Sequence, residues 1–272
     1  MQELLRQLKA SRVIDLSQPC FQGMPHWPSH PPFARAMTKM HGDYVLEGGA
    51  SSAAESIALG SHVGTHIDAL CHFSLDGMLH GGAAAAAVQS EAGGIAMHSV
   101  DRIAPILRRG ILLDIVALFG RDALEAGFEI VPEHLDEAEL EAGVIIDAGD
   151  VVLLRTGWGR YWREPRRYLN ELVMPGAGLA AAHWLTERGV FAVGSDTAAF
   201  ERLPSPRMDV HVHLLVERGV HIIENLMLED LAEELRESQS NEFALLAAPL
   251  RLEGATGAPI RPLALLTEDD DE

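Results

Sequence analysis

The sequence predicts a mixed α/β domain, and three observations support this prediction. The chain has 272 residues, of which 47% are hydrophobic and 22% are charged, a composition typical of a packed globular protein. Short apolar runs bounded by Gly or Asp, at residues 110–116 and 150–157, are typical of buried strands. Segments with helical periodicity alternate only partly with these runs. No segment resembles a linker, so we expect a single domain over residues 1–272.

The first part of the chain predicts one helix, two strands and a long loop. Residues 1–12 have an amphipathic helical pattern, and RVIDLSQP (12–19) predicts a strand. Residues 20–55 are rich in proline and lack a regular apolar period, so we expect a long loop over the body of the protein. Such loops in compact domains are often functional. AESIALGSH (54–62) alternates in polarity and predicts a strand.

The rest of the chain predicts three helices and several strands, followed by an acidic tail. The first helix begins near Pro132 and ends at Gly143. Residues 81–88 resemble the start of a short helix, and TEDDDE (267–272) predicts a solvated tail. The further predicted helices are 176–189 and 210–219, and the further predicted strands are 190–197, 220–226, 243–252 and 260–266.

Charge and cysteine content exclude several classes of function. The net charge is −19, with 40 acidic and 21 basic side chains, so the surface repels nucleic-acid backbones and anionic membranes. No apolar run of transmembrane length occurs, and the N-terminus lacks the apolar core of a signal peptide, so we expect a cytoplasmic protein. Cys20 and Cys71 form no Cys-x-x-Cys pair, and we expect reduced thiols.

The segment SHVGTHIDALCHF places four ionisable side chains among apolar neighbours: His62, His66, Asp68 and His72. Histidine and carboxylate groups are ligands of zinc and similar metals, and a buried carboxylate needs a partner or a metal. The β-branched residues between them favour a strand, but a straight strand would separate His62 from Asp68 by about 20 Å. We therefore predict a bend near Gly64–Thr65, a pair of metal ions, or both.

The run H-V-G-T-H-I-D-x-x-x-H resembles the signature His-x-Gly-Thr-His-x-Asp-x-Pro-x-His of the cyclase-type metal-dependent hydrolases. This family includes bacterial kynurenine formamidases and isatin hydrolases. Leu70 stands where the family usually has Pro, and the chain length is closer to the isatin-hydrolase-like members. Segments 150–158, 192–198, 219–226 and 245–266 also resemble the family, in the same order. The resemblance implies a swivelling β/β/α domain with a barrel-like mixed sheet flanked by helices.

The resemblance also implies roles for the residues of this run. It assigns three metal ligands here: His62, His66 and Asp68. Asp68 would be able to bridge two ions, and His72 would be the general acid/base. The implied cofactor is a divalent metal, zinc or manganese, with one or two ions per chain.

Two further ligands are expected late in the chain, a His and a Glu about a dozen residues apart. Glu224 matches the Glu. Both His211 and His213 are candidates for the His, and we favour His211, which follows an apolar residue as the family's ligand does. Strand alternation places His221 on the face opposite Glu224, so we interpret His221 as structural.

The reaction implied is hydrolysis of a carbon–nitrogen bond in a cyclic amide or an aryl formamide, with the cyclic amide ahead. A kynurenine formamidase proper and a lactone hydrolase are the alternatives. A bound cation would acidify water, and His72 would move the protons. Small molecules are the expected partners, and the family implies a homodimer or homotetramer. Four side chains are candidates for contact with an aromatic substrate, or else ordinary core or surface aromatics: Trp27, Phe73, His80 and Trp158.

Other classes of function are less consistent with the sequence. His211, His213 and Glu217 resemble part of the cupin metal motif of dioxygenases, but its flanking glycines are missing. Cys71 has no adjacent Lys or Arg to lower its thiol pKa, which argues against a nucleophile. A non-catalytic metal-binding protein is the third alternative, but the chain keeps both His72 and all the expected ligands.

Overall fold

One mixed sheet of nine strands forms the centre of the protein. The computed structural model describes residues 2–238 and 240–266. The described residues form fifteen strands, and six of them pair in small two-stranded sheets apart from this one. In chain order the strands are β1 (Arg12–Asp15), β2 (Ala34–Lys39), β3 (Ala54–Ala58), β4 (His66–Asp68), β5 (Gln89–Ser90), β6 (Gly94–Ile95), β7 (Ile106–Asp114), β8 (Glu129–Ile130), β9 (Val151–Arg155), β10 (Gly176–Ala177), β11 (Ala192–Ser195), β12 (His221–Glu224), β13 (Glu242–Ala247), β14 (Gly257–Pro259) and β15 (Leu263–Leu266).

Along the chain, most helices come between these strands, and in space they pack on both faces of the sheet. The α-helices are α1 (Gln2–Ala10), α2 (Ala85–Val88), α3 (Ile115–Leu118), α4 (Pro132–Ala142), α5 (Pro165–Leu169), α6 (Leu179–Glu187), α7 (Asp209–His211) and α8 (Glu229–Glu237). A π-helix continues α7 over Val212–Arg218. Short 3₁₀ turns occur at His80–Gly82, Val100–Arg102, Trp158–Tyr161 and Asn170–Leu172.

The sheet has the order β1-β15-β13-β7-β9-β11-β12-β4-β14. The four central strands β7, β9, β11 and β12 are parallel, and the strands on either side pair antiparallel. The sheet curls into a half-barrel flanked by helices. This architecture confirms the predicted mixed α/β class and the barrel-like mixed sheet.

Two core clusters cover the two faces of this sheet. Side chains alternate along each strand, so Leu112 and Leu153 join one cluster with α8, whereas Ile111 and Val152 join the other with α4 and α6. Burial on both faces explains why the central strands appear in the sequence as continuous apolar runs. A third, smaller cluster packs the segment after β9 against the loop that contains Trp27.

Most predicted elements are present, with shifted ends. The helix predicted over 132–143 is α4, whose C-cap Gly143 has φ +66°. The predicted helices 176–189 and 210–219 are observed over shorter or slightly shifted ranges, as α6 and as α7 with its π-helix. The strand predicted over 243–252 ends at Ala247, before Pro249. The acidic tail 267–272 lies outside the described residues.

The prediction of a single long loop over residues 20–55 is wrong. Residues 34–39 form β2, which pairs antiparallel with β3 to make a hairpin separate from the main sheet. Nearly every side chain of this hairpin is exposed to solvent. Without a buried face, β2 leaves no clear apolar alternation in the sequence, whereas β3 lies in the predicted strand 54–62. Within the described part of the chain, no helix has both the length and the hydropathy needed to cross a bilayer.

Candidate metal centre and its cavity

Strands β4 and β12 bring three of the predicted metal ligands together. They pair antiparallel with His66 opposite Glu224, and alternation places Asp68 on the same face. The Nε2 atom of His66 lies 3.4 Å from Oδ1 of Asp68 and 3.5 Å from Oε2 of Glu224. The residues between them, Ile67 and Ile223, turn to the opposite face and enter the core. All three polar side chains are buried.

A bend at Gly64 returns His62 to the same place. Gly64 has φ +75°, a backbone conformation that glycine adopts at little cost, and the chain reverses before β4. As a result, Nδ1 of His62 lies 2.7 Å from Oδ1 of Asp68, and its Nε2 lies 2.8 Å from the Thr256 hydroxyl. The predicted bend is confirmed. Both ring nitrogens of His62 have a partner, so a cation that uses His62 must replace one of these contacts.

Helix α7 contributes His211 from the other side of the site. Its Nε2 lies 3.2 Å from Oε1 of Glu224 and 3.9 Å from Oδ2 of Asp68. Its Nδ1 is hydrogen-bonded to the buried carboxylate of Glu201. Burial would lower the pKa of His211, but the hydrogen bonds to Glu201 and Glu224 raise it to about 10.

His213 points away from this centre. Its Nδ1 lies 2.8 Å from a carboxylate oxygen of Glu217, and its Nε2 lies 3.0 Å from the Thr186 hydroxyl. Both nitrogens are therefore used in packing the helix. Of the two candidate histidines, the structure brings only His211 to the cluster. The cupin-like arrangement is absent from this region, because His211 and His213 are bonded to different carboxylates.

His72 lies against the predicted ligands and faces the cavity. Its ring stacks on that of His62 with centroids 3.8 Å apart, and Phe73 packs edge-on against it at 4.9 Å. Burial lowers the pKa of His72 to about 3, with only partial compensation from Asp68, so the imidazole is neutral near pH 7. Nitrogens of His72 and His62 and an oxygen of Asp68 also lie within 4.8 Å of one another. At these distances His72 can act either as a general base or as a metal ligand.

The donor set fits a divalent cation. Oδ2 of Asp68 is buried and has no hydrogen-bond partner among the described residues. Burial alone would raise the pKa of Asp68, but His72 and His62 hold it well below its usual value. Nδ1 of His66 lies 2.8 Å from the carbonyl of Gly64, and donation there leaves the Nε2 lone pair directed at the carboxylates. An unpartnered carboxylate oxygen beside an imidazole lone pair is a ready pair of metal ligands.

A cavity of about 200 Å³ opens above these groups. Its lining includes Trp27, Phe73 and Met208 on the apolar side, with His30 and Asn225 among the polar groups. No lysine or arginine lies among the lining residues that the structure describes. The cavity is therefore largely apolar and aromatic, with its polar groups gathered at the metal cluster.

Two of the four predicted substrate-contacting side chains lie elsewhere. His80 has its Nδ1 2.8 Å from the carbonyl of Val216, away from the cavity lining. Trp158 donates from Nε1 to the carbonyl of Tyr168 at 2.8 Å and is buried in the third core cluster. The structure therefore corrects the placement of both residues. Each is satisfied by a backbone acceptor, which their positions near motif segments did not reveal.

The structure also shows the surroundings of the remaining candidates. Nδ1 of His221 lies 3.0 Å from the backbone carbonyl of Asp68, which agrees with a structural role that holds β4 in place. Cys71 is a buried free thiol, and burial raises its pKa to about 11. A thiol that stays protonated is a poor nucleophile.

Four groups at the site were absent from the sequence-based prediction: Glu201, Thr256, His30 and Asn225. Only His30 could have been suspected from the sequence, because it stands in the proline-rich segment 20–55, and long segments of this kind often carry functional residues. Its Nδ1 lies 3.4 Å from the carbonyl of His62. Asn225 follows Glu224 directly, with φ +56°. Glu201 and Thr256 meet their histidine partners only through the fold, and no local spacing marks them.

The chain is similar to known proteins in both sequence and fold. Kynurenine formamidase of Bacillus cereus is 27% identical over 254 residues, covering 93% of this chain and 97% of that protein. A crystal structure described as a novel cyclase superposes with a TM-score of 0.87 at 30% identity, covering 97% of this chain and 90% of the other. Isatin hydrolase A of Ralstonia solanacearum has a TM-score of 0.74 at 25% identity, with coverage of 97% and 95%.

A family model described as putative cyclase matches residues 14–202. The match contains the whole run from His62 to His72 and ends before His211 and Glu224. Because it covers well over half of the chain, it establishes what the motif suggested. This chain belongs to the cyclase family.

Proposed function

We propose that this protein is a metal-dependent hydrolase that cleaves the carbon–nitrogen bond of a cyclic amide, with aryl formamides as the second substrate class. The observation that carries the proposal is the meeting of Asp68, with its unpartnered Oδ2, and histidines from distant parts of the chain beneath an open cavity. Relatives named kynurenine formamidase and isatin hydrolase support hydrolysis at carbon–nitrogen bonds.

Five side chains would hold the cation: His62, His66, Asp68, His211 and Glu224. Asp68 belongs to both groups of closely spaced ligand atoms, so it would be a ligand whether the chain holds one ion or two. Mixed imidazole and carboxylate ligands suit zinc and manganese. When bound, the cation lowers the pKa of a coordinated water and polarises a carbonyl.

His72 is proposed to move the protons of the reaction. Its neutral imidazole accepts the proton of the attacking water and returns it to the nitrogen that leaves. Its place in the cavity wall beside Phe73 puts it next to a bound substrate. Trp27 and Phe73 provide apolar faces against which an aromatic ring can pack.

The cavity lining favours an uncharged ring compound over an amino acid derivative. N-formylkynurenine carries a carboxylate, and no lysine or arginine among the described lining residues is available to pair with it. A cyclic amide fused to an aromatic ring has no such requirement and is small enough for a cavity of about 200 Å³. We therefore place cyclic amides ahead of formamides.

Metal analysis followed by two assays tests the proposal. The purified protein is expected to contain zinc or manganese and to hydrolyse isatin faster than N-formylkynurenine, measured as kcat/KM for each. Faster turnover of N-formylkynurenine would reverse the order of substrates. Absence of metal and of turnover on both would contradict the function. Consumption of dioxygen during turnover would instead indicate an oxygenase.

We also propose that the chain forms a homodimer or homotetramer in the cytoplasm. The hairpin of β2 and β3 supports association, because Met37, Met40, Tyr44 and Ile57 are each at least half exposed. An isolated two-stranded hairpin is marginally stable in water unless something packs against it. Light scattering after size-exclusion chromatography gives the mass, and a monomer at micromolar concentration would contradict this proposal.

A further inference from the structure

We propose that Glu201 is a positioning residue that fixes the ring orientation and tautomer of His211 for metal binding. This inference rests on the proposed metal-dependent function and adds to it a residue outside the ligand set. Glu201 lies too deep to meet a substrate, since it is 1% exposed and is not part of the cavity lining. Its role is therefore exerted through His211.

The contacts between the two residues determine how His211 can bind a metal. The same oxygen of Glu201, Oε2, accepts from the backbone N–H of His211 at 3.0 Å and from Nδ1–H of its ring. Two bonds to one oxygen fix both the start of the helix and the rotation of the imidazole. Because Nδ1 stays bonded to Glu201, Nε2 is the ring nitrogen left to bind a cation in place of its proton, and it lies between Glu224 and Asp68.

Glu201 itself is held rigidly in place. Its backbone forms a parallel bridge with Ala177, and the absence of a side chain at Gly176 allows close approach, because a Cβ there would lie 2.5 Å from the Glu201 carbonyl carbon. A carboxylate with so little freedom can orient its partner without losing entropy when the metal binds.

A second histidine–carboxylate pair on the same helix, His213 and Glu217, serves as a control because it lies away from the metal cluster. Glu217 is hydrogen-bonded to Nδ1 of His213 at 2.8 Å, the same type of contact on the same helix. The other nitrogen of His213 is bonded to Thr186, so this ring does not face the metal cluster. Replacing Glu217, whose side chain is half exposed, removes a histidine–carboxylate hydrogen bond of the same type with no expected effect on metal binding.

The test compares Glu201→Gln with Glu217→Gln in zinc affinity, measured by competition with a chromophoric chelator. Outer carboxylates of this kind typically change metal affinity by about 10–100-fold. We expect Glu201→Gln to weaken zinc binding by that amount, and Glu217→Gln to change it by less than about twofold. Thermal unfolding of the metal-free proteins is measured in parallel, because a purely structural role would lower stability and leave zinc affinity unchanged.

The outcomes separate this inference from the proposed function. Wild-type zinc affinity in Glu201→Gln, or an equal loss in Glu217→Gln, would overturn the positioning role while the metal site stands. A wild-type protein that binds neither zinc nor manganese would overturn both. If Glu201→Gln does not fold, Glu201→Asp carries the same test, because it withdraws the carboxylate by one methylene, and unchanged affinity in it would overturn the inference.

Discussion

Burial determines the charge of individual side chains in and around the site. His72 is kept neutral because its surroundings do not solvate an imidazolium, whereas the pKa of Asp68 lies well below its usual value despite burial, with hydrogen bonds from His62 and His66 among the causes. A general base such as His72 must be neutral, and a carboxylate ligand such as Asp68 must be ionised. The roles of these residues can therefore be separated by removing one side chain at a time.

Replacing His72 by Ala is expected to lower kcat by about 10²–10⁴-fold, the usual contribution of a general acid/base, while metal content stays at the wild-type level. His66→Ala is the comparison, because His66 touches both Asp68 and Glu224 and its loss should release metal. Metal content is measured on each purified protein alongside kcat. Equal metal loss in both variants would make His72 a ligand.

Asp196 gives a prediction that is independent of metal. Burial, followed by the nearby charge of Glu229, raises its pKa from 3.8 to about 6. The folded state therefore holds a proton that the unfolded state releases above pH 3.8. The resulting contribution to stability is present below pH 3.8 and is lost as the pH rises through about 6.

Asp196→Asn should therefore gain stability relative to wild type as the pH rises from 4 to 8, on the order of 2–3 kcal/mol. The amide keeps an acceptor for the backbone N–H and hydroxyl of Thr156, which now bond Oδ1 of Asp196. Urea unfolding of both proteins across this pH range measures the difference. Parallel stability curves would show that Asp196 is ionised throughout in the folded protein.

The sequence marked the candidate site residues that stand close together in a motif and missed the groups that support them. His62, His66, Asp68 and His72 lie within one run, so spacing alone marked them. Glu201 stands ten residues before its partner His211, and Thr256 is 194 residues from His62. Such contacts exist only after the strands have paired, and a single sequence contains no signal for them.

At the scale of the elements, the site depends on how closely three strands approach. Strand β4 lies between β12 and β14, with Gly257 of β14 opposite Asp68. A Cβ atom on Gly257 would lie 2.5 Å from Cε1 of His62 and 2.8 Å from the carbonyl of Ile67. Glycine at this position therefore leaves the space that the imidazole of His62 occupies.

Gly257→Ala should displace His62 and weaken zinc binding by about tenfold or more, measured by the chelator competition used for Glu201. Gly110→Ala is the control, since its Cβ would lie 2.3 Å from Cε2 of Phe243 in the same sheet, between β7 and β13 and away from the ligand-bearing strands β4 and β12. Overpacking should cost the control about 1–3 kcal/mol of stability with zinc affinity unchanged. Wild-type affinity in Gly257→Ala would mean that His62 is not a ligand.

Elements were predicted well where one face is buried and poorly where none is. The amphipathic pattern of α4 and the apolar runs of β7 and β9 reflect their packing, so their existence followed from the sequence. Strand β2 has no buried face and was predicted as loop, whereas its partner β3 was predicted from the alternation of residues 54–62. The choice between His211 and His213 depended on the rotation of the helix, which continues as a π-helix from Val212.

At the scale of the whole molecule, the cluster connects parts of the chain that are far apart in sequence. His62, His66 and Asp68 come from before β7, and His211 and Glu224 from after β11. The sheet that joins these parts includes strands from both ends of the described chain, because β1 pairs with β15. A cation bound here would favour the folded state, since the unfolded chain does not hold these ligands together.

Removing the metal should therefore lower the unfolding temperature. A ligand present at about 1,000 times its Kd stabilises the folded state by about 4 kcal/mol, and each kcal/mol shifts Tm by about 2–4 °C in a domain of this size. Excess zinc is expected to raise Tm of the chelator-treated protein by about 10 °C, measured by calorimetry at pH 8.

Asp68→Asn distinguishes a specific site from a general effect of zinc on an acidic surface. The variant loses the carboxylate shared by both groups of ligand atoms, so its Tm should be the same with zinc and with chelator. A zinc-dependent rise in Tm that survives in Asp68→Asn would place the cation elsewhere on a surface of net charge −19.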